Sequence, residues 1–234
     1  MNIRRVITAG TVALILSAGA AQAQVTIYAL DLAGFNAAAG NPSIMVDFDS
    51  ILPGTNIGGS TLASLTFNQL GSPLQVVRAS DTYTPVGIFG NVIDESTNTL
   101  PATSGLNILS PGGIRLDNDF ANQLDSAEFV LSSPASSFGF DILWQSRDGL
   151  TFGVDIQVYD TMDTLLYSGA VPMGGGFFSG PGGSDFWGIT STSANIKRIV
   201  VNDTDNDSNF PDANIGYDTF RFGGQQAVAL TPEQ

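Results

Sequence analysis

Phe138-Gly139-Phe140-Asp141-Ile142-Leu143-Trp144 and Leu150-Thr151-Phe152-Gly153-Val154-Asp155-Ile156-Gln157-Val158-Tyr159 flank the tripeptide Arg147-Asp148-Gly149. In the first run Phe138, Phe140, Ile142 and Trp144 alternate with Gly139, Asp141 and Leu143. In the second, Leu150, Phe152, Val154, Ile156 and Val158 alternate with Thr151, Gly153, Asp155, Gln157 and Tyr159. A period of two is the pattern of a half-buried strand, and Asp-Gly between two such runs is a strong local hairpin signal. The expectation is a β-hairpin with one face inward and one face wet. Asp160 to Thr164 reads as the next turn, leading into Leu165-Leu166-Tyr167.

Outward from this pair, short strand candidates recur between Gly, Pro, Asn and Ser clusters. They cover 44–49, 63–67, 74–78, 86–92, 106–109, 114–120, 127–131, 186–190, 196–201 and 215–222. One helix signal precedes them: Asp31 as N-cap, the helix formers of 32–39, and Gly40 as a stop. A dozen short strands with no long amphipathic helix predict an all-β fold, a two-sheet antiparallel β-sandwich of jelly-roll type with one short N-terminal helix.

Composition restricts the chemistry. The 234 residues include no His and no Cys, which removes imidazole-based triads, thiol nucleophiles, Cys/His zinc sites and disulfides. Acidic residues number 22 against 8 Lys plus Arg, for a net charge of −14. Nothing in that balance resembles the basic footprint of a nucleic-acid partner.

Residues 1–23 read as a secretory signal peptide: Arg4 and Arg5, an apolar run from Val6 to Ala20, then Ala21-Gln22-Ala23 as a small-x-small cleavage site. The apolar run falls short of the about 18 residues a membrane span needs. Removal of Arg4 and Arg5 with the leader takes the charge of the remaining chain to −16. The expected organisation is a leader over 1–23, a single β-sandwich domain over 24–222 and a mobile tail over 223–234. The mature chain is expected outside the cytoplasm, secreted or periplasmic, without a transmembrane anchor.

Several short motifs in order carry a family resemblance. Leu32-Ala33-Gly34-Phe35 precedes Val46-Asp47-Phe48-Asp49, then Pro53-Gly54-Thr55 and Leu65-Thr66-Phe67. Phe138-Gly139-Phe140-Asp141, Phe186-Trp187-Gly188-Ile189 and Ile215-Gly216-Tyr217-Asp218-Thr219-Phe220 follow. The series resembles the extracellular domain of bacterial PEP-CTERM (exosortase-sorted) surface proteins, over roughly residues 31–223. It implies a jelly roll like those of lectins and carbohydrate-binding modules. Thr231-Pro232-Glu233-Gln234 matches only the opening of that family's C-terminal sorting signal, so the sorting helix is not expected.

Three sets of residues stand out as candidate sites. Asp47 and Asp49 share one face of an early strand, and uninterrupted alternation in 215–222 puts Asp218 beside Phe220 and Phe222. A lone carboxylate there needs a partner. First and last strands of jelly rolls often meet, so Asp47, Asp49 and Asp218 form a candidate structural calcium site; the resemblance implies the same cofactor. The alternative is an Asp218–Arg221 pair or a turn cap, with Asp47 and Asp49 solvated. A second candidate metal loop is Asp203, Asp205 and Asp207, which begins with EF-hand spacing but has Ser208 and Asn214 where Gly and Glu belong; a solvated acidic loop is the competing reading. Phe177 and Phe178, within a glycine-rich stretch, offer either a stacking surface for a ligand or a lid on the core.

No catalytic residues are assigned. Only Glu95, Glu128 and Glu233 supply glutamates, and no pattern marks a glycosidase acid/base pair. The expected function is a secreted, non-catalytic surface or matrix protein that binds a polysaccharide or another matrix component. A polysaccharide hydrolase using an Asp/Glu pair and a self-associating structural protein are the alternatives.

Overall fold

The structure, a computed structural model, describes residues 23–40, 42–81, 100–111, 126–144, 154–171, 183–203 and 215–224. Residues 1–22 of the expected leader, Arg147-Asp148-Gly149, Phe177 and Phe178, residues 225–234 of the expected 223–234 tail and the strand candidates at 86–92 and 114–120 lie outside the described residues. So do the side chains of Trp144 and Asp203, and the whole of Asp205 and Asp207. Gly223, placed in that tail, instead ends the last strand.

Among the described residues there are thirteen strands and one α-helix. Strand β1 (Val25–Ala29) leads to helix α1 (Leu32–Ala39), then β2 (Ile44–Val46), β3 (Ser60–Leu62), β4 (Leu65–Gln69) and β5 (Leu74–Arg78). After these come β6 (Asn107–Pro111), β7 (Ala127–Ala135), β8 (Ser137–Trp144), β9 (Val154–Tyr159) and β10 (Leu165–Ala170). The last three are β11 (Gly183–Ser191), β12 (Ile196–Asp203) and β13 (Ile215–Gly223). One seven-stranded sheet runs β1-β11-β8-β13-β6-β5, with β2 also paired to β13; a six-stranded sheet runs β10-β9-β12-β7-β4-β3. All pairs are antiparallel. The chain changes sheet at each step from β10 to β13, the alternation of a jelly roll. Two-sheet sandwich and single short helix are as the sequence predicts.

The expected hairpin is corrected. β8 pairs with β11 and β13 in one sheet, whereas β9 pairs with β10 and β12 in the other. Phe138, Phe140 and Ile142 meet Val154, Ile156 and Val158 in a single inter-sheet core. Only β9 keeps a wetter outer face; β8 is buried on both, with Asp141 and Leu143 covered on the far side, so its expected wet face is corrected too. Alternation specifies which residues face inward, but not whether the next strand lies beside its predecessor or across the core from it. The turn at 160–164 does close a hairpin, between β9 and β10.

Aromatic rings fill the core between the sheets. Phe129 from the six-stranded sheet lies 4.7 Å from Phe220, 5.4 Å from Tyr217 and 5.6 Å from Phe140, ring centre to ring centre. Edge-to-face contacts of this kind add to the area term. On the outer face of the six-stranded sheet, Arg198 lies over the Tyr159 ring and pairs with Glu128 and Asp163. Partial burial pulls the Arg198 guanidinium down, but hydrogen bonds and charge from Asp163 and Glu128 outweigh it and hold it above its usual value.

Helix α1 begins and ends on the expected residues. Asp31 Oδ1 accepts from the Gly34 amide at 2.8 Å, and Gly40 takes the left-handed conformation at φ 69°. Phe35 is the buried residue of the helix and sits 5.1 Å from the Phe186 ring, on the outer face of the seven-stranded sheet. Gly188 makes the seat: a Cβ there would lie 2.7 Å from both rings.

Candidate functional site

The outer face of the seven-stranded sheet is covered at its other end by residues 100–107. Leu100 packs with Val77, Ile108 and Leu143 in a second, smaller apolar cluster. Beside it are two buried carboxylates, Asp141 on β8 and Asp218 on β13, directly opposite in register.

The register explains how Asp218 reaches that face. Asp218 pairs with Asp141, but the next pair is Arg221 with Gly139, so β13 carries one residue more than β8 over this interval. Thr219 has φ 43°, a left-handed conformation rare for a β-branched residue. This β-bulge switches the alternation. Ile215, Tyr217, Phe220 and Phe222 all join the inter-sheet core, while Asp218 and Arg221 point outward. The expectation that Asp218 shares a face with Phe220 and Phe222 is thereby corrected, because uninterrupted alternation misses the extra residue.

Each carboxylate is satisfied differently. Asp218 accepts from the Thr103 amide at 2.8 Å, the Ser104 amide at 2.7 Å, the Ser104 hydroxyl at 2.7 Å, the Thr219 amide at 2.7 Å and the Thr103 hydroxyl at 3.1 Å. Asp141 takes both arms of Arg221, at 3.2 and 3.1 Å, and a 2.7 Å bond from the Thr103 hydroxyl. Asp141, rather than Asp218, is the partner of Arg221.

A third carboxylate holds the other end of the same segment. Asp49 Oδ1 accepts from the amides of Leu106 at 2.6 Å and Asn107 at 2.9 Å. The Asn107 side chain, buried at 7% exposure, donates back to the carbonyls of Phe48, Asp49 and Ile51. Gly105 is required at the crossing, since a Cβ there would fall 2.0 Å from Asp49 Oδ2. Residues 49–53 and 105–107 are thus clasped to each other.

Between them opens a groove of about 570 Å³, lined among others by Asp49, Leu52, Pro53, Arg78, Leu106 and Asn107. Leu52 and Leu106 are 78% and 72% exposed. The volume lies within the range of about 300–1,000 Å³ seen for small-ligand sites. Apolar walls beside a carboxylate, a guanidinium and backbone polar groups suit a ligand with both C–H faces and hydroxyls.

Strands β2 and β13 do meet, with Val46 opposite Phe220, so an early strand and the last strand lie together as expected. Yet Asp47 and Asp49 follow β2 in a turn, and Asp47 Oδ1 accepts the Asp49 amide at 3.2 Å. Among the described residues no three acidic side chains gather where a metal ion could be held. As arranged, Asp47, Asp49 and Asp218 do not fit a calcium ion: the oxygens of Asp218 receive four protein donors of their own, besides the Thr103 hydroxyl shared with Asp141, and Asp49 Oδ1 receives two. Carboxylates satisfied by amides replace the expected shared site. Trp187 is fully buried in the inter-sheet core, and its indole N–H has no partner among the described residues.

No protein-family model matches the chain, and no curated protein matches it. Solved structures of similar shape exist. The K2 cleaved adhesin domain of Lys-gingipain aligns with a TM-score of 0.43 at 12% identity, covering 76% of this chain and 96% of that one. A family 6 carbohydrate-binding module aligns with a TM-score of 0.27 at 14% identity, over 64% of this chain and 93% of its own. A glycoside hydrolase family 43 arabinoxylan arabinofuranohydrolase from Bacillus subtilis aligns with a TM-score of 0.25 at 11% identity, over 74% of this chain and 43% of its own. At such low scores and identities none of the three bears on the function of this chain.

Proposed function

We propose that this chain is an exported, non-catalytic β-sandwich that binds glycan on a bacterial surface or in its extracellular matrix. The observation that carries the reading is the groove between 49–53 and 105–107. Leu52 and Leu106 supply apolar walls for sugar C–H faces, and Asp49 and Arg78 supply polar groups for hydroxyls. Of its described lining residues only Asp49 bears a carboxylate, whereas glycoside hydrolysis ordinarily uses two, about 5 to 9.5 Å apart. Asp49 is moreover engaged by two backbone amides, a holding role.

Export rests on the leader pattern in 1–23. The place among exosortase-sorted surface proteins rests on the order of short motifs alone. No described helix is long and apolar enough to cross a membrane. The self-associating alternative draws less support from the strand edges. β3 has three residues, the outer side of β5 is covered by bonds between 54–57 and 74–76, and β10 carries a bulge at Leu165/Tyr167, which leaves the five-residue β1 as the one regular edge among the described strands. Short, covered or bulged edges resist edge-to-edge pairing.

Pull-down on a panel of insoluble and matrix polysaccharides tests the proposal, with wild type compared against Leu106→Asp. Retention by at least one polysaccharide, lost in the variant, is expected. Failure to bind any of them, or release of reducing sugar from them, overturns it.

A further inference from the structure

We infer that the groove takes an acidic sugar, one whose ring carries a carboxylate, gripped by Arg78. The inference rests on the glycan reading of this groove and goes further by naming the ligand's charge.

In a chain with 22 acidic and 8 basic residues, a guanidinium has abundant carboxylates to pair with. The other described cations all have partners. Lys197 donates to the carbonyls of Leu131 and Ser132, Arg198 pairs with Glu128 and Asp163, and Arg221 pairs with Asp141. Arg78 alone among the described basic residues has neither an ion pair nor a hydrogen bond from its side chain to a described residue. It is exposed and lines the groove.

The position of Arg78 is set by rigid neighbours. It ends β5 opposite Asn107 of β6, and Asn107 is the residue that ties down the turn at 48–51. Asp49 shares the groove but directs Oδ1 to the amides of Leu106 and Asn107, so it makes no salt bridge with Arg78. The groove therefore presents a planar donor fork, on an anchored backbone position, with no hydrogen-bond or ion-pair partner among the described residues. Guanidinium matches carboxylate in two parallel bonds, a geometry that an ammonium cannot reproduce. Leu52 and Leu106 line the same groove and supply the apolar contact a pyranose ring requires. The negative charge of the whole chain opposes an anionic ligand at long range, but at physiological ionic strength it is screened beyond about 8 Å. Contact within the groove decides binding of a short oligomer.

The test measures binding of short uronate oligosaccharides (galacturonate, glucuronate and mannuronate series) beside their methyl esters and a sulfated galactan oligomer, at physiological ionic strength. The proteins are wild type, Arg78→Gln, Arg78→Lys and Leu106→Asp. Wild type is expected to prefer at least one acid over its ester by roughly tenfold or more. Arg78→Gln erases the preference, and Arg78→Lys restores only part of it. Unchanged melting temperatures in both Arg78 variants show that the fold is intact. If acid and ester bind alike and Leu106→Asp abolishes both, the acidic-sugar inference is wrong and the glycan groove stands. Tighter, Arg78-dependent binding of the sulfated oligomer than of any uronate also overturns the carboxylate assignment. If no oligomer binds and the polysaccharide panel is silent too, both readings fall.

Discussion

Asp218 and Asp141 face each other across β13 and β8, both buried, and share the hydroxyl of Thr103. Like charges placed directly opposite in a sheet repel. Here the repulsion is offset from two sides, by the Arg221 fork on Asp141 and by three backbone amides on Asp218. The Thr103 hydroxyl has one proton and lies nearer Asp141, so Thr219, at 3.1 Å, donates to its oxygen in turn. Segment 100–107 is held on the sheet by these charges as much as by Leu100.

Asp218→Ala removes the acceptor for the Thr103 and Ser104 amides and is expected to destabilise the protein by at least about 3 kcal/mol. Denaturant unfolding measures this. A loss below about 1 kcal/mol means that 100–107 is held by its apolar contacts alone.

Chelation is expected to leave the melting temperature of wild type and of Asp218→Ala unchanged, because amides and hydroxyls already fill the Asp218 oxygens. A fall in wild type that disappears in Asp218→Ala restores calcium at Asp47, Asp49 and Asp218. A fall present in both points to Asp203, Asp205 and Asp207 instead.

Arg221→Ala strands Asp141 without its cation. The cost expected for breaking such a pair is about 3–5 kcal/mol. Arg221→Lys keeps the charge but loses the two-armed geometry, so its unfolding midpoint should fall between wild type and the Ala variant. Equal midpoints for Lys and wild type would show that the fork adds nothing beyond charge.

Gly188→Ala drives a methyl group into the Phe35 and Phe186 rings. Overpacking of this kind costs about 1–3 kcal/mol. Restoring room with the double variant Gly188→Ala/Phe35→Leu should recover part of the loss, which thermal unfolding of the four-protein cycle can read. Full additivity of the two changes would disprove the proposed seat.

Some of this was legible one residue at a time. Asp31 and Gly40 bound the helix because capping depends on a local side chain and a local backbone angle. Strand β5 occupies 74–78, as expected from Leu74, Val76 and Val77. Strand β1 escaped notice because five residues next to the leader carry too little pattern, and it is held by pairing with β11 far along the chain. The groove escaped for a related reason. Leu52, Arg78 and Leu106 have no common spacing, and Asp49 looked like a metal ligand because nothing near it in sequence reveals two amides that arrive from 106 and 107.

Alternation, turn residues and composition were sufficient for a β-sandwich with one short helix and no thiol or imidazole chemistry, since each depends on residue type and short-range order. Which sheet receives β9, which face receives Asp218 and which donors reach its carboxylate were decided only in three dimensions. A crossover and a hairpin present the same inward residues, a single bulged threonine reverses the faces of everything before it relative to everything after, and the Thr103 and Ser104 amides that reach Asp218 come from 115 and 114 residues away.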